Sequence, residues 1–247
     1  SLTTNHYHRG VAQPGSALAW GASGRPFKSD RPDLCLITYK VNTPMPDKIA
    51  VIIPAFNAAK TVAALIEKIQ KDFPELDIIV IDDGSADQTF SLAQKSKAIV
   101  LQHKVNQGKG EALKTGFSYV KEKNYSYVIT MDADLQHDPQ HIKDFLQKAK
   151  TDKIDFILGT RNFSFQNMPW DRVLTNFITS VILTILSGQR IKDSQSGYRM
   201  ISVEILRSIP LKCQEYDLES EILIKAGRKR FKIEAVDENG IKKTVEG

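Results

Sequence analysis

From Lys48 onward, apolar residues come in two kinds of run that alternate along the chain. Short, nearly unbroken runs at Ile49–Ile53, Asp77–Ile81, Ala98–Gln102, Tyr125–Met131 and Ile154–Leu158 read as buried strands. Between them the apolar residues are spaced for helices. Val62, Leu65, Ile66 and Ile69 mark one over Ala58–Lys71, and Asp87–Lys95, Lys109–Lys121 and Pro139–Ala149 follow. Strands alternating with helices predict a single α/β domain with a mostly parallel sheet covered on both faces. Such sheets bind ligands beyond the carboxyl ends of their strands.

Two stretches stand apart. Residues 170–188 form one long helical pattern, with Trp170, Val173, Leu174, Phe177, Ile178, Val181, Ile182, Ile185 and Leu186 on one face and mostly Thr, Ser and Asn on the other. The pattern favours a helix packed into the core, with contact to lipid as the alternative. Residues 1–44 show no periodicity and are scattered with Gly, Pro, Ser and Arg, as in a disordered tail. They also resemble a translated transfer-RNA gene: Pro26-Phe27-Lys28-Ser29 can be encoded by CCG TTC AAA TCC, which contains the T-arm consensus GTTCAAATC. The expected domain is therefore 45–247, starting at Met45, with 1–44 a disordered or spurious extension.

Composition narrows the class. Over 247 residues, 41% hydrophobic and 26% charged content suit a soluble globular protein. No apolar run approaches the roughly 20 residues that span a bilayer, and the N-terminus lacks the apolar core of a signal peptide. Cys35 and Cys213 have no metal-binding spacing, so a reducing cytoplasm is the expected compartment. Residues 1–44 carry +3 of the net charge of +5, leaving +2 on the rest, whereas a nucleic-acid partner calls for basic residues clustered on a folded surface.

Each strand end carries a polar cluster: PAFN (54–57), DDGS (82–85), HKVNQGKG (103–110), DADLQ (132–136) and GTRN (159–162). They should converge on one site. Asp132, Asp134 and Gln136 offer hard oxygen ligands with no Cys nearby, which selects Mg²⁺ or Mn²⁺, and such an ion completes its shell with substrate phosphates. The same stretch also suits helix capping: Asp138 before Pro139 is a cap, and Asp134 then decorates the loop. Asp82 or Asp83 can accept from a base imide or ribose hydroxyls, while Ser85 or Asp87 starts the next helix. The glycines around Lys109 suit phosphate, but match neither a P-loop nor a dinucleotide fingerprint.

VIIPAFNAAKTV, IVIDDGSADQT, NQGKGEALKTGF, MDADLQHDP, GTRN and DSQSGYRMIS stand in the order of glycosyltransferase family 2. They most resemble its dolichyl-phosphate mannose synthase branch, the polyprenyl-phosphate glycosyltransferases, over about residues 48–236. The resemblance implies a GT-A fold, a nucleotide-sugar donor, Mg²⁺ or Mn²⁺, inversion at the anomeric carbon and a polyprenyl phosphate acceptor at the inner membrane face. It implies that Pro54, Phe56, Ile81 and Asp83 line the nucleoside pocket, with Lys109 beside them. Asp132, Asp134 and Gln136 would hold metal and diphosphate, and Arg161 would face a phosphate. Gln195 and Arg199 would sit in an acceptor-side loop. Two departures stand out: Ala58 and Ala59 replace the usual acidic residue, and DENGIKKTVEG replaces a basic, tyrosine-containing tail, as in a shortened domain.

The acceptor decides whether a base is required. A sugar hydroxyl must lose a proton to a positioned carboxylate, whereas a lipid phosphate is already anionic and needs only cations. The arginine of SGYR favours phosphate: Arg199 is the first choice to grip it with two parallel hydrogen bonds and Arg161 the second, with Glu219 and Glu221 as reserve bases or plain helix carboxylates. A transferase acting on a saccharide hydroxyl, or a nucleotide-sugar-binding module without turnover, are the alternatives. The oligomeric state is not legible.

Overall fold

The computed structural model describes residues 48–160, 170–189, 191, 196–212 and 217–237, with side chains except at 170–178, 217 and 237. The expected boundary at 44/45 and nearly all of the divergent tail lie outside the described residues.

Among these residues the strands are β1 (Ile49–Ala55), β2 (Asp77–Asp82), β3 (Ile99–Gln102), β4 (Tyr127–Thr130), β5 (Phe156–Thr160), β6 (Arg199–Ser202) and β7 (Ile233–Asp237). They form one sheet in the order β3-β2-β1-β4-β6-β5-β7. Every pairing is parallel except those of β6, which runs antiparallel to β4 and β5. The helices are α1 (Val62–Asp72), α2 (Thr89–Lys95), α3 (Lys109–Glu122), α4 (Ile142–Asp152), α5 (Trp170–Ser187), α6 (Val203–Ser208) and α7 (Asp217–Arg228). Successive residues of β1 feed two cores, as the period of two requires. Ile49, Val51 and Ile53 pack with Leu65, Ile66 and Phe145 on one face. Ala50 and Ile52 pack with Leu113 and Phe117 on the other. The expected α/β architecture is present, and its first five strands fall where the apolar runs place them.

The differences lie at ends and in the last third. β1 continues through Pro54 to Ala55. Pro54 lies on the same edge of β1 as Ile52, whose carbonyl accepts from Met131 N. The β4 pairing stops at Ile52↔Thr130, so the missing proline N–H removes no ladder bond. α1 starts at Val62 rather than Ala58, because loop side chains take the preceding N–H groups. Thr89 Oγ1 accepts from Ala58 N at 2.8 Å, and Asp87 Oδ2 accepts from Ala59 N at 3.0 Å. Asp138 caps as expected, accepting from Gln140 N at 3.0 Å, and Pro139 opens a single 3-10 turn that leads into α4.

The segment read as an acceptor-side loop contains a strand, β6, wedged between β4 and β5. The described end of α5 also departs from the favoured core-packed reading. Val181, Ile182, Ile185 and Leu186 are exposed, while Ser180, Leu183 and Ser187 are buried.

Candidate active site

The carboxyl ends of β1, β2 and β4 and the β3–α3 loop meet around a cavity of about 310 Å³. β1 supplies Pro54, Ala55 and Phe56, β2 supplies Asp83, and β4 supplies Asp132. The loop into α3 adds Asn106, Gly108 and Lys109. Four of the five polar clusters thus converge. Of the fifth, Gly159 and Thr160 end β5, and Arg161 lies outside the described residues, as does Gln195. Phe56 is 50% exposed, an open aromatic face at the rim. Ile81 corrects the expectation: it is fully buried in the core beneath α3 and does not reach the cavity.

Asp83 is buried and its carboxylate is turned toward the protein's own chain. Oδ1 accepts from Gln107 N at 3.0 Å and lies 2.6 Å from His103 Nδ1, and Oδ2 accepts from Gly108 N at 2.8 Å. The far nitrogen of His103, Nε2, lies 2.9 Å from Thr115 Oγ1. Asp83 therefore folds the glycine-rich loop over the cavity, where the sequence reading has it receiving the nucleoside. The loop passes so close that a Cβ on Gly84, at φ +71°, would stand 2.5 Å from the Val105 carbonyl carbon. This explains the glycine of DDGS better than turn geometry alone.

A chain of charges crosses from the donor side to α7. Lys109 Nζ lies 2.6 Å from Asp132 Oδ1 and 3.4 Å from Glu219 Oε1. Arg199 Nη2 lies 3.5 Å from Glu219 Oε2. Burial alone would depress the Lys109 pKa, but the carboxylates of Glu219 and Asp132 outweigh it and hold the ammonium above its ordinary value. Glu219 is thus no solvated helix carboxylate. Arg199 is only 1% exposed, the first residue of β6, with Nε donating to Ser196 O at 2.7 Å and Nη1 to Glu219 O at 2.8 Å. The buried strand position replaces the expected loop, and the guanidinium holds α7 to the sheet. Glu221 is likewise structural: its carboxylate accepts from Lys212 N at 3.0 and 2.9 Å.

Asp134 is exposed, and its Oδ1 accepts from Gln136 N at 2.9 Å across Leu135, which takes φ +61°. The Gln136 side chain is exposed, and His137 is buried against Tyr198 with ring centroids 5.2 Å apart. Among the described residues no cluster of three or more His, Cys, Asp or Glu encloses a metal. Asp132 lines the cavity and Asp134 and Gln136 are exposed on the turn that follows it; two carboxylates and an amide are donors that suit a hard cation drawing its other ligands from a diphosphate and water.

Sequence reasoning missed two contributors. Thr130 Oγ1 donates to Gly197 O at 2.9 Å, fixing the entry of β6 to the end of β4. Gly197 packs directly on the Asp132–Lys109 pair. The glycine inside SQSGYR was the available signal.

The Glycosyl transferase family 2 model matches residues 50–209. The UDP-N-acetylglucosamine–dolichyl-phosphate N-acetylglucosaminyltransferase of Methanococcus voltae is 32% identical over 212 residues, covering 76% of this chain and 84% of that protein. The undecaprenyl-phosphate mannosyltransferase of Micrococcus luteus is 28% identical over 172 residues, 66% of this chain and 70% of that protein. Among solved structures, glucosyl-3-phosphoglycerate synthase from Mycobacterium tuberculosis, in complex with Mn²⁺, UDP and phosphoglyceric acid, aligns with a TM-score of 0.64. The identity is 24%, over 78% of this chain and 69% of that one, a likeness that carries the fold alone.

Proposed function

The chain belongs to glycosyltransferase family 2 and is a glycosyltransferase of the GT-A fold; on that footing we propose that it transfers a sugar from a nucleotide donor to a polyprenyl phosphate, with inversion and with a bound Mg²⁺ or Mn²⁺. The observation that carries the reading is the cavity at the strand ends, with the exposed Phe56 ring at its rim and the Asp132–Lys109 pair in its wall. Phe56 offers a face for the base to stack on. Asp132, Asp134 and Gln136 would hold the cation, which neutralises charge on the departing diphosphate.

An oxygen of the acceptor phosphate attacks the anomeric carbon, the bond from that carbon to the donor diphosphate breaks, and the nucleoside diphosphate leaves. No proton has to be removed, so no base is needed. Lys109, kept protonated by its carboxylate neighbours, adds positive charge beside the leaving group. Arg161 is the proposed cationic partner of the acceptor phosphate. Arg199 acts behind Glu219 as a positioning residue. The lipid-phosphate transferases among the relatives support this acceptor class.

A second reading has one observation in its favour. Glu219 sits in the same charge cluster as Asp132, within reach of a base role toward a saccharide hydroxyl. Radiolabelled nucleotide sugars with Mn²⁺ and a short polyprenyl phosphate separate the cases. Label in the organic phase supports the first reading, and label on added saccharide supports the second. Nucleotide binding without release of nucleoside diphosphate would leave a binding module.

A further inference from the structure

Lys109 makes two unequal contacts. Its Nζ lies 2.6 Å from Asp132 Oδ1 but 3.4 Å from Glu219 Oε1. The first is a full charge-assisted bond, and the second is too long for one. Glu219 Oε1 is buried and, among the described residues, accepts no hydrogen bond. A buried carboxylate oxygen without one costs free energy, so its presence calls for a use. The rest of Glu219 is anchored: Arg199 Nη2 stands 3.5 Å from Oε2, and Arg199 Nη1 donates to the Glu219 carbonyl at 2.8 Å. Oε1 is thus held facing the ammonium.

The backbones around the pair are fixed. Lys109 is the first residue of α3, and the Gly108 N–H before it donates to Asp83 Oδ2 at 2.8 Å. Asp132 follows the end of β4, and Gly197 closes one side of its Oδ2. The Lys109 side chain, on its flexible four-carbon stem, is the movable part. The charges set the direction of movement. Lys109, Arg199, Asp132 and Glu219 cancel as they stand. A divalent cation on Asp132 leaves the group positive and puts two like charges on one carboxylate. A shift of the ammonium to Glu219 Oε1 relieves that repulsion and completes the missing bond.

We propose that Lys109 is the resting counter-ion of Asp132, displaced when a cation takes that carboxylate, and that Glu219 Oε1 is the seat to which its ammonium then moves. The inference rests on the reading of Asp132 as a cation ligand. It gives Glu219 a task other than that of a base, and Arg199 the task of keeping Oε1 turned toward Lys109. It also makes a cation a weak ligand by itself and a strong one together with a diphosphate, whose negative charge restores the balance.

Mn²⁺ titrations of the full chain, without nucleotide and followed by electron paramagnetic resonance, test it. Asp132→Asn comes first. If it binds Mn²⁺ as the wild type does, or if no form of the protein binds Mn²⁺, the cation reading itself falls and this proposal with it. With that reading in place, Lys109→Met binds Mn²⁺ about tenfold more tightly than the wild type, because no ammonium competes. Lys109→Arg, which keeps the charge, does not. Glu219→Gln binds about tenfold more weakly, because the ammonium has lost its second seat. In the Lys109→Met background the same Glu219→Gln change has little effect, since no ammonium needs the seat. A Lys109→Met protein that binds Mn²⁺ no more tightly than the wild type overturns the proposal, and so do effects of the two changes that simply add. Thermal melting of each variant is read alongside. Should Lys109→Met not fold, Lys109→Gln takes its place with the same expectation.

Discussion

Gly197 lies flat against the Asp132 carboxylate: a Cβ there would stand 2.7 Å from Oδ2, and 2.9 Å from the Lys109 ammonium. The Lys109 tip can swing aside, but the carboxylate is held by the end of β4. Gly197→Ala is therefore expected to move the charge pair while leaving the fold in place. kcat/KM should fall about tenfold to a hundredfold, as for a misplacement near 1 Å, with a melting temperature close to wild type. Unaltered kinetics would mean that the pair has no part in catalysis.

Asp134→Asn replaces a carboxylate with a neutral amide at the proposed cation site. Turnover should be lost, and isothermal titration should find nucleoside diphosphate binding no longer strengthened by Mn²⁺. Near-normal turnover in Mn²⁺ would reject Asp134 as a ligand.

Arg199→Lys removes the fork that reaches both Ser196 O and Glu219 O. Lysine cannot span both acceptors. Unfolding in urea should show a loss of about 1.5–3 kcal/mol, with the KM for polyprenyl phosphate little changed. Unchanged stability with a raised acceptor KM would return Arg199 to the phosphate.

Glu219→Gln separates the two acceptor chemistries. With a phosphate acceptor kcat should change by no more than a few fold, whereas a missing general base typically costs about 10²–10⁴-fold. The larger loss, together with label on saccharide, would replace the lipid-phosphate reading.

At the amino ends of β1, β2 and β4, Tyr125 Oη donates to Asp77 Oδ2 at 2.6 Å, and Lys48 Nζ lies 2.8 Å from the same oxygen. Burial and the bond to Asp77 push the Tyr125 hydroxyl up to about 12. Burial alone would raise the Asp77 carboxyl, but its bonds from Lys48 and Tyr125 outweigh this and hold it below its ordinary value. The tyrosine contribution to stability is therefore complete below pH 10 and lost as pH rises toward 12. The aspartate contribution is complete above its ordinary pKa and lost as pH falls below it. Tyr125→Phe should cost about 1 kcal/mol at neutral pH and flatten the alkaline decline measured by urea unfolding. An alkaline decline identical to wild type would place its origin elsewhere.

The first five strands were legible because parallel strands are apolar on both faces and end abruptly at polar clusters. β6 was not. Arg199–Ser202 is only four residues long and begins with a charge, so its pattern gives no strand signal. Its partners, β4 and β5, alone make a strand of it. The apolar stripe of α5 was visible, but periodicity says which residues share a face and not which way that face points. The role of Asp83 was hidden for a similar reason. Nothing local to DDGS tells that residues 107 and 108 will cross above it.

The reversed direction of β6 has an evolutionary consequence. Because β6 runs against β4, the chain leaves the sheet at Thr160 and re-enters at Gly197 beside the end of β4, with Thr160 Oγ1 bonded to Val236 O and Gly197 O to Thr130 Oγ1. Both anchors lie at the edge of the sheet where the cavity opens. Sequence can therefore change between the two anchors without altering the strand pairing that carries the cavity.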